Sequence, residues 1–388
     1  MPADQRFTVL DSFRGLAAIA IVLFHMPILL AISELEFFRN GHVFIQFFFA
    51  LSGFVLCHAY AHRLTSVAAL RDFAVARTFR LYPLHLCLLG LFLLLESGKL
   101  MAQGQGASVE AFSGNVALEE ILPNLLLLQA WLPGADSLSF NAPAWTISVG
   151  YYVYLLFGLI VVVLPRRNSL VFSLICLLTC LSLLMHVHAL EGEVLKGVGC
   201  FFAGALLYRL FMGLRALPLS HTEFTVLEVS TLLVLVLVLD SSYLYRDLFT
   251  SLMLLLTIFI FAFEGGVVSR WLKQRWLQAL GLWSFSIYMT HVAILAALQG
   301  LALQLSKLPG LEHLAPSQAE PHGIVAMGYI STQNLLLDNL MAVAAVLAVI
   351  LVSSLTYKYI ELPGIRLGKR LQGKAPLSHF REKSHAIN

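Results

Sequence analysis

Long apolar runs separated by short polar stretches dominate the hydropathy pattern of this chain. Ten of the runs have about 17 residues or more, the length that an α-helix needs to cross the hydrocarbon core of a bilayer. They cover residues 13–32, 43–60, 82–98, 144–164, 169–188, 195–213, 224–240, 247–264, 281–305 and 335–360. The pattern predicts an all-α, polytopic transmembrane helix bundle of about ten spans.

A shorter apolar stretch lies between the third and fourth predicted spans. Its apolar part, residues 121–132, is too short for a full crossing, and Pro123 interrupts it near the start. We therefore predict one extra re-entrant or interfacial helix near residues 118–132. The alternative is an eleventh span, which the charge distribution disfavours.

Lysine and arginine are distributed unequally between the two sides of the predicted bundle. With the N-terminus inside, and without a crossing at residues 121–132, twenty of the 25 basic residues lie in inner segments. The five in outer segments are Arg39, Lys99, Lys196, Arg246 and Lys307. The positive-inside rule then places both termini in the cytoplasm. Residues 1–365 are predicted to form a single transmembrane domain, and residues 366–388 a basic cytoplasmic tail.

Composition supports an integral membrane protein and excludes several other classes. The chain of 388 residues is 59% hydrophobic and only 12% charged, whereas soluble domains are about 25% charged. The net charge of +3 is small, and no basic stripe with interleaved aromatic residues predicts nucleic-acid binding. The five cysteines lie in apolar runs without metal-ligand spacing, so a metal is not expected. Membrane lipids are the expected partners of such an apolar chain.

Arg14 and His25 are the first candidates for chemistry, because both lie in or beside the first apolar run. Eleven residues of helix correspond to about three turns and about 16 Å, so the two side chains share one face. An ionisable group inside a span costs about 2.5–3.5 kcal/mol on insertion scales and therefore indicates a functional site. A histidine of near-neutral pKa is suited to general base catalysis. The alternative is a packing histidine and an arginine that anchors the inner end.

Arg77 and Arg80 form a second candidate site on the inner loop before the third span. Two arginines three residues apart lie on the same side of a helix. Arginine binds phosphate oxygens with two parallel hydrogen bonds, so the pair suits a phosphate-rich ligand from the cytoplasm. The alternative is that both residues are positive-inside anchors.

Polar positions inside three other spans are weaker candidates. Ser52 and Gly53 permit close approach of helices, so packing is their default role. Tyr288 and His291 share a helix face, and His291 lies about as deep as the histidine of the first span. Glu361 closes the last span, where pairing with a loop arginine is the default.

The order and spacing of these motifs resemble the integral-membrane acyltransferase-3 family, which O-acylates carbohydrates of envelopes, exopolysaccharides and some antibiotics. The matching pieces are Leu10-Asp11-x-x-Arg14-Gly15 with His25, Phe48-Phe49-x-x-Ser52-Gly53-Phe54, Arg77-x-x-Arg80-x-x-Pro83, Trp145-Thr146-Ile147-Ser148-Val149, Ser286-Ile287-Tyr288-x-x-His291 and Glu361-x-Pro363. They extend from residue 10 to residue 363, over nearly the whole chain. Ten spans with both ends inside also match the family.

The resemblance implies a transfer from acyl-CoA, with acetyl-CoA as the expected co-substrate, to a hydroxyl of a glycan or glycolipid. It implies that His25 is the general base and that Arg14 acts with it. Donor binding is implied for Arg77, Arg80, Arg14, Ser52 and Gly53. Substrate-binding or supporting roles are implied for Asp11, Trp145, Ser148, Tyr288, His291 and Glu361. The span from Arg14 to His25 is comparable to the reach of a pantetheine arm.

One position departs from the family pattern. The tryptophan motif of the family typically ends in an acidic residue, and here that position is Gly150. Glycine has no side chain with which to accept a hydrogen bond or to orient a histidine. Either another polar group substitutes, with Ser148, Tyr151 and Tyr152 as poorer candidates, or the activity is altered or lost.

Two other functions stay open at the level of sequence. The first is a transporter or lipid-handling membrane protein that uses the same fold without acyl chemistry. The chain shows no internal repeat or inverted pair of broken spans, which argues against many secondary transporters. The second is acetylation of a sugar amino group by a similar mechanism. For all three functions the expected location is a bacterial inner membrane.

Overall fold

Helices make up all the regular structure in the residues that the computed structural model describes. Those residues are 6–104, 110–186, 190–240, 246–317 and 328–373. The helices are α1 (Thr8–Phe24), α2 (Glu36–Arg39), α3 (Phe44–Tyr60), α4 (Val67–Gly104), α5 (Ile121–Leu125), α6 (Ala144–Val163), α7 (Asn168–Leu184), α8 (Gly192–Leu214), α9 (His221–Leu239), α10 (Arg246–Phe261), α11 (Val267–Leu272), α12 (Arg275–Leu305), α13 (Leu335–Thr356) and α14 (Leu362–Leu371). Strand-like pairing within these ranges is limited to two isolated bridges. The predicted all-α class is confirmed.

Each of the ten predicted spans overlaps a helix of at least 16 residues. Seven helices of the described residues are long and apolar enough to cross a membrane, namely α3 with the turn before it, α4, α6, α8, α9, α12 and the continuous α13–α14 unit. The other three, α1, α7 and α10, are shorter, with 17, 17 and 16 residues. The structure thus confirms a polytopic helical bundle, while the side of the membrane on which the termini lie stays a prediction.

The first helix starts earlier and ends earlier than the predicted span of residues 13–32. It begins at Thr8, where the carboxylate of Glu264 accepts hydrogen bonds from the Val9 amide (3.1 Å) and the Thr8 hydroxyl (3.2 Å). It ends at Phe24, shortly before Pro27, whose ring does not fit a continuing helix. The prediction that His25 lies in the middle of a membrane helix is therefore wrong, because His25 caps the end of α1.

The third predicted span is also longer than its apolar run. Helix α4 has 38 residues and starts at Val67, well before the run at residue 82. Arg77 and Arg80 consequently lie on the helix itself, and their placement on a preceding loop is wrong. The helix continues through Pro83.

Residues 118–132 do not form a membrane-crossing helix. They comprise a 3₁₀ turn at Leu118–Glu120, the five-residue helix α5 and a series of turns. The segment is fastened to the bundle because the Ser148 hydroxyl donates a hydrogen bond to the Leu127 carbonyl (2.6 Å). The short extra helix near these residues agrees with the prediction.

Glycine residues allow the closest helix contacts in the bundle. A Cβ at Gly53 would overlap the carbonyl oxygen of Phe201, and one at Gly204 would overlap that of Ala50. Helices α3 and α8 therefore pack backbone to backbone, as is typical inside membranes, where small residues replace the hydrophobic effect as the basis of association.

Helices α1 and α12 meet in the same way and run side by side. A Cβ at Gly15 would approach the Gly281 amide nitrogen to 2.6 Å, and one at Gly281 would overlap the Asp11 carbonyl. Ten residues further along each helix, His25 and His291 are again in contact. Because the separation is the same on both helices, α1 and α12 run in the same direction, with about 15 Å between the glycine contact and the histidine contact.

The C-terminal helices bring the end of the described chain back to α4. Between α13 and α14 one π-helical turn, Tyr357–Glu361, changes the register of the helix. Gly364 and Gly368 in α14 then pack against Pro83 and Phe79. Residues 366–371 of the predicted tail are thus part of a packed helix, and residues 374–388 of that tail lie outside the described residues.

Candidate active site

A cavity of about 630 Å³ opens between α1, α3, α4, α12 and α14. Five basic residues line it, namely Arg6, Arg14, Arg77, Arg80 and Lys369. Four of them lie in the first 80 residues, and the α4–α14 contact adds Lys369 from the other end of the sequence. The cavity is therefore strongly electropositive at one end, where it holds only two lining carboxylates.

Arg77 lines the cavity with part of its hydrogen-bonding capacity unused. Its Nη2 donates to the Tyr60 hydroxyl (3.1 Å), and its guanidinium lies 5.4 Å from the Tyr60 ring centre. Its Nε is buried without a hydrogen-bond partner, and no ion pair to Arg77 occurs within the described ranges. A buried guanidinium with an unsatisfied N–H is suited to bind an anion.

Arg80 lies one turn further along α4 and faces the carboxylate of Glu361. Its Nη2 is 3.8 Å from Glu361 Oε1, and Glu361 Oε2 accepts a hydrogen bond from the Ser286 hydroxyl (3.0 Å). The side chain of Glu361 is fully buried. Since Glu361 belongs to the π-helical turn, that irregular turn presents the carboxylate to the cavity.

Arg14 is held in place by contacts on α1 and α12. Its Nη2 donates to Asp11 Oδ1 (2.9 Å) and to the Gly281 carbonyl (3.3 Å), and its Nε donates to the Ser284 hydroxyl (3.1 Å). Asp11 also pairs with Arg6. The glycine contact between the helices is what lets Arg14 reach the α12 backbone.

The far end of the cavity is formed by Thr146 and Tyr288. The ring of Tyr288 is 5.7 Å from the ring of His291, and His291 Nε2 lies 3.3 Å from His25 Nδ1. Neither histidine lines the cavity. The Tyr288 side chain therefore separates the electropositive cavity from the histidine pair.

His25 lies at the end of α1 that is distant from the arginines. Nearby, Arg39 donates a hydrogen bond from Nη1 to the Phe24 carbonyl (3.0 Å), and the His42 ring lies 5.5 Å from the Phe24 ring. Arg39 pairs with Glu34. Burial lowers the pKa of Arg39 below its ordinary value, and Tyr329, which lies 5.4 Å away, partly offsets this. This cluster covers the histidine end of the first helix.

The structure places the predicted site residues in three groups. Seven line the cavity, namely Asp11, Arg14, Ser52, Arg77, Arg80, Tyr288 and Glu361. His25 and His291 form a pair behind Tyr288. Gly53, Trp145 and Ser148 lie elsewhere, in helix contacts or bound to the 118–132 segment, and do not line the cavity.

Two basic residues of the cavity escaped the sequence reasoning. Arg6 precedes the first span, and Lys369 lies in the stretch assigned to a tail. The available signal was the cluster of basic residues after Glu361, which the positive-inside rule explained without any site. Only the packing of α14 on α4 shows that Lys369 faces the cavity.

Gly150 occupies a buried position on α6, beside the cavity wall. A Cβ built there would lie 3.7 Å from the Tyr154 ring and 3.9 Å from Phe49, which is ordinary contact. Tyr154 in turn donates a hydrogen bond to Ser52 (3.1 Å). Aromatic side chains thus surround this position, and no ion pair links His25 to a carboxylate in the described part of the chain.

No cluster of three or more His, Cys, Asp and Glu side chains suited to a metal ion occurs within the described residues.

Two curated proteins are similar to parts of this chain. Acyltransferase MdmB of Streptomyces mycarofaciens is 29% identical over 172 residues, which are 41% of this chain and 40% of that protein. Protein 2 in picA locus of Rhizobium radiobacter is 41% identical over 91 residues, which are 22% of this chain and 44% of that protein. The matches thus span less than half the length of either relative.

No solved structure matches the chain. The family profile described as an acyltransferase domain, acyltransferase 3, matches residues 7–358. That range includes α1 with Arg14 and His25, the arginines of α4 and the histidine of α12. The chain belongs to the acyltransferase 3 family of membrane acyltransferases.

Proposed function

We propose that this protein transfers an acyl group, acetyl in the first instance, from cytoplasmic acyl-CoA to a hydroxyl of a glycan or glycolipid in a bacterial inner membrane. The observation that carries the proposal is the electropositive cavity that ends one aromatic ring away from a histidine pair. A donor with phosphates at one end and a thioester at the other matches such a polarised site.

Anion recognition at the open end supports the donor assignment. Arg77 has a buried N–H without a partner, so a phosphate oxygen gains a charge-assisted hydrogen bond there without displacing a carboxylate. Arg80 faces Glu361 at 3.8 Å, which is longer than a hydrogen bond, so its donors are also accessible to a phosphate. The cavity walls beyond the arginines are apolar, with Phe48, Phe49 and Phe285 among them, as a thioester arm requires.

His25 is the proposed general base at the closed end. It takes the proton of the acceptor hydroxyl while the hydroxyl oxygen forms a bond to the acyl carbon. As the carbon–sulfur bond breaks, the proton passes from His25 to the departing sulfur, so that an ester and free CoA are formed. Because Tyr288 separates cavity and histidines, the reaction requires the Tyr288 ring to rotate away from His291.

The acceptor is proposed to arrive from the side of α1 that carries Arg39 and His42. Both residues lie within contact distance of Phe24, which adjoins His25. The acyltransferase name of the Streptomyces relative supports acyl transfer in general, and leaves the acyl group and the acceptor to experiment.

The experiment uses the full-length protein in lipid nanodiscs with radiolabelled acetyl-CoA and a panel of methyl glycosides. We expect wild type to form an acetyl ester, detected by mass spectrometry, and His25→Ala to lower the rate by about 100- to 10,000-fold, the usual range for a lost general base. His62→Ala, at an exposed histidine after α3, is the matched control and should retain activity.

Binding of acetyl-CoA, measured by calorimetry, separates the parts of the proposal. His25→Ala should bind acetyl-CoA like wild type. Wild-type protein that binds no acetyl-CoA would overturn the donor assignment, and ester formation by His25→Ala at the wild-type rate would overturn the base assignment. An amide product on amino sugars would identify amino-group acetylation instead.

A further inference from the structure

The hydrogen-bond partners of His291 determine which of its ring nitrogens carries the proton. His291 Nδ1 lies 2.6 Å from the Tyr288 carbonyl oxygen, which can only accept. The Nδ1 of neutral His291 is therefore protonated, and its Nε2 is left with a lone pair. His291 is fully buried, so no solvent competes for that lone pair.

The same reasoning applies to His25. Its Nδ1 lies 3.0 Å from the Ile21 carbonyl oxygen and 3.3 Å from His291 Nε2. Both of these neighbours are acceptors, so His25 Nδ1 carries the proton and shares it between them. The lone pair of His25 is then on Nε2, the nitrogen that is free to act as a base.

A group that accepts the Nδ1 proton of a catalytic histidine is usually a carboxylate. It fixes the tautomer and orients the ring, and it stabilises the imidazolium that forms during the reaction. Within the described residues His25 has no carboxylate partner. The side chain that lies against its Nδ1 is His291, whose Nε2 can accept the proton.

We propose that His291 is the positioning residue for His25 in this protein. Its Nε2, together with the Ile21 carbonyl, holds His25 in the tautomer with a free Nε2. The proposal rests on the proposed function in one respect, namely that His25 is the base. It predicts a neutral histidine pair as the core of the site.

The direct test is spectroscopic and does not depend on the acceptor. Full-length protein labelled with ¹⁵N-histidine is studied in nanodiscs at pH 7, and the His25 signals are identified by their loss in His25→Gln. We expect a protonated Nδ1 and an unprotonated Nε2 for His25. In His291→Leu, which removes the accepting nitrogen, part of the population should change to the Nε2-protonated tautomer. A wild-type spectrum with Nε2 protonated, or an unchanged spectrum in His291→Leu, would overturn the proposal.

Kinetics provide the second readout. His291→Leu should lower kcat for ester formation by roughly 10- to 100-fold, as removal of a group that orients a reactive side chain typically does, with acetyl-CoA affinity unchanged. His291→Gln should recover most of the rate, because its amide oxygen accepts a hydrogen bond. Equal losses in His291→Leu and His291→Gln would indicate a packing role and overturn the proposal.

Thr290→Val is the matched control. Thr290 is the buried neighbour of His291 on α12, but its hydroxyl contacts Ser353 (3.0 Å) and the Ser286 carbonyl (2.9 Å) instead of His25. It should leave kcat and the His25 tautomer unchanged. Loss of activity in His25→Ala with full activity in His291→Leu would refute the positioning role alone and leave the proposed function standing.

Discussion

The two ends of α1 have opposite electrostatic designs. At the Arg14 end, charged side chains surround a cavity, and the Arg14 side chain is 25% exposed. At the His25 end, the rings of His25 and His291 are in contact beside Tyr288, and His291 is fully buried. The first end is the charged region, and the second, for which we propose an uncharged histidine pair, is the neutral region.

This difference suits the two tasks of a transfer reaction. An anionic ligand is attracted by charges that stay partly hydrated, since burying them fully would cost more than the ligand returns. A base works best as a neutral group in a site without competing water. One pair of helices, α1 and α12, supports both environments because their glycine contact sets the register for the whole pair.

Breaking the glycine contact between α1 and α12 should abolish the function of both regions at once. In Gly281→Val the new side chain overlaps the Asp11 backbone, which cannot move away from it. The loss in the free energy of unfolding should therefore exceed the roughly 1–3 kcal/mol that overpacking usually causes. We expect acetyl-CoA binding and ester formation to be lost together, with a lower melting temperature in nanodiscs. Gly300→Val on the same helix meets open space and should behave like wild type. A Gly281→Val protein that binds acetyl-CoA and forms ester like wild type would show that the α1–α12 glycine contact does not support both regions.

Removing one arginine should affect the charged region alone. Arg77→Ala loses a hydrogen bond to a charged group, about 1.5–3 kcal/mol, so the Kd for acetyl-CoA should rise roughly 10- to 100-fold with kcat nearly unchanged. Arg166→Ala, at an exposed arginine between α6 and α7, is the matched control. Calorimetry gives the Kd for acetyl-CoA. Equal affinity in Arg77→Ala and wild type would show that Arg77 does not contribute to donor binding.

Restoring the acidic residue of the family should change the neutral region least. Gly150→Glu places a carboxylate among Tyr154 and Phe49, so it should bring no gain in ester formation and should lower the melting temperature. Gly150→Ala should stay close to wild type, because its Cβ makes only ordinary contacts. A several-fold gain in Gly150→Glu would show that the missing carboxylate is a deficit.

Much of the charged region was predictable from local spacing. Arg77 and Arg80, three residues apart, lie on one side of a helix, and the structure brings both to the cavity. The start of α4 was not predicted because Arg71, Asp72, Arg77 and Arg80 interrupt the apolar residues before residue 82. Hydropathy detects an uninterrupted apolar stretch and not a helical segment that carries several charges.

The neutral region was less predictable. The apolar run continues past His25, and the predicted span therefore extends to residue 32. In the structure α1 ends at Phe24, Ile28 forms a bridge with Ile330, and the Ile32 amide donates to the Asn339 side chain on α13. Tyr288 and His291 were identified as sharing a face, but nothing in their spacing indicates contact with His25. That contact depends on residues 266 positions apart.

The sequence by itself determined the helical membrane architecture, the family and the residue types available for chemistry, because hydropathy and short motifs are local properties. Only the tertiary structure decided which of those residues meet. The α1–α12 register, the docking of α14 on α4 and the placement of His291 against His25 depend on backbone contacts at glycines far apart in the chain. Such contacts are selected by the packing of the whole bundle, and no local pattern encodes them.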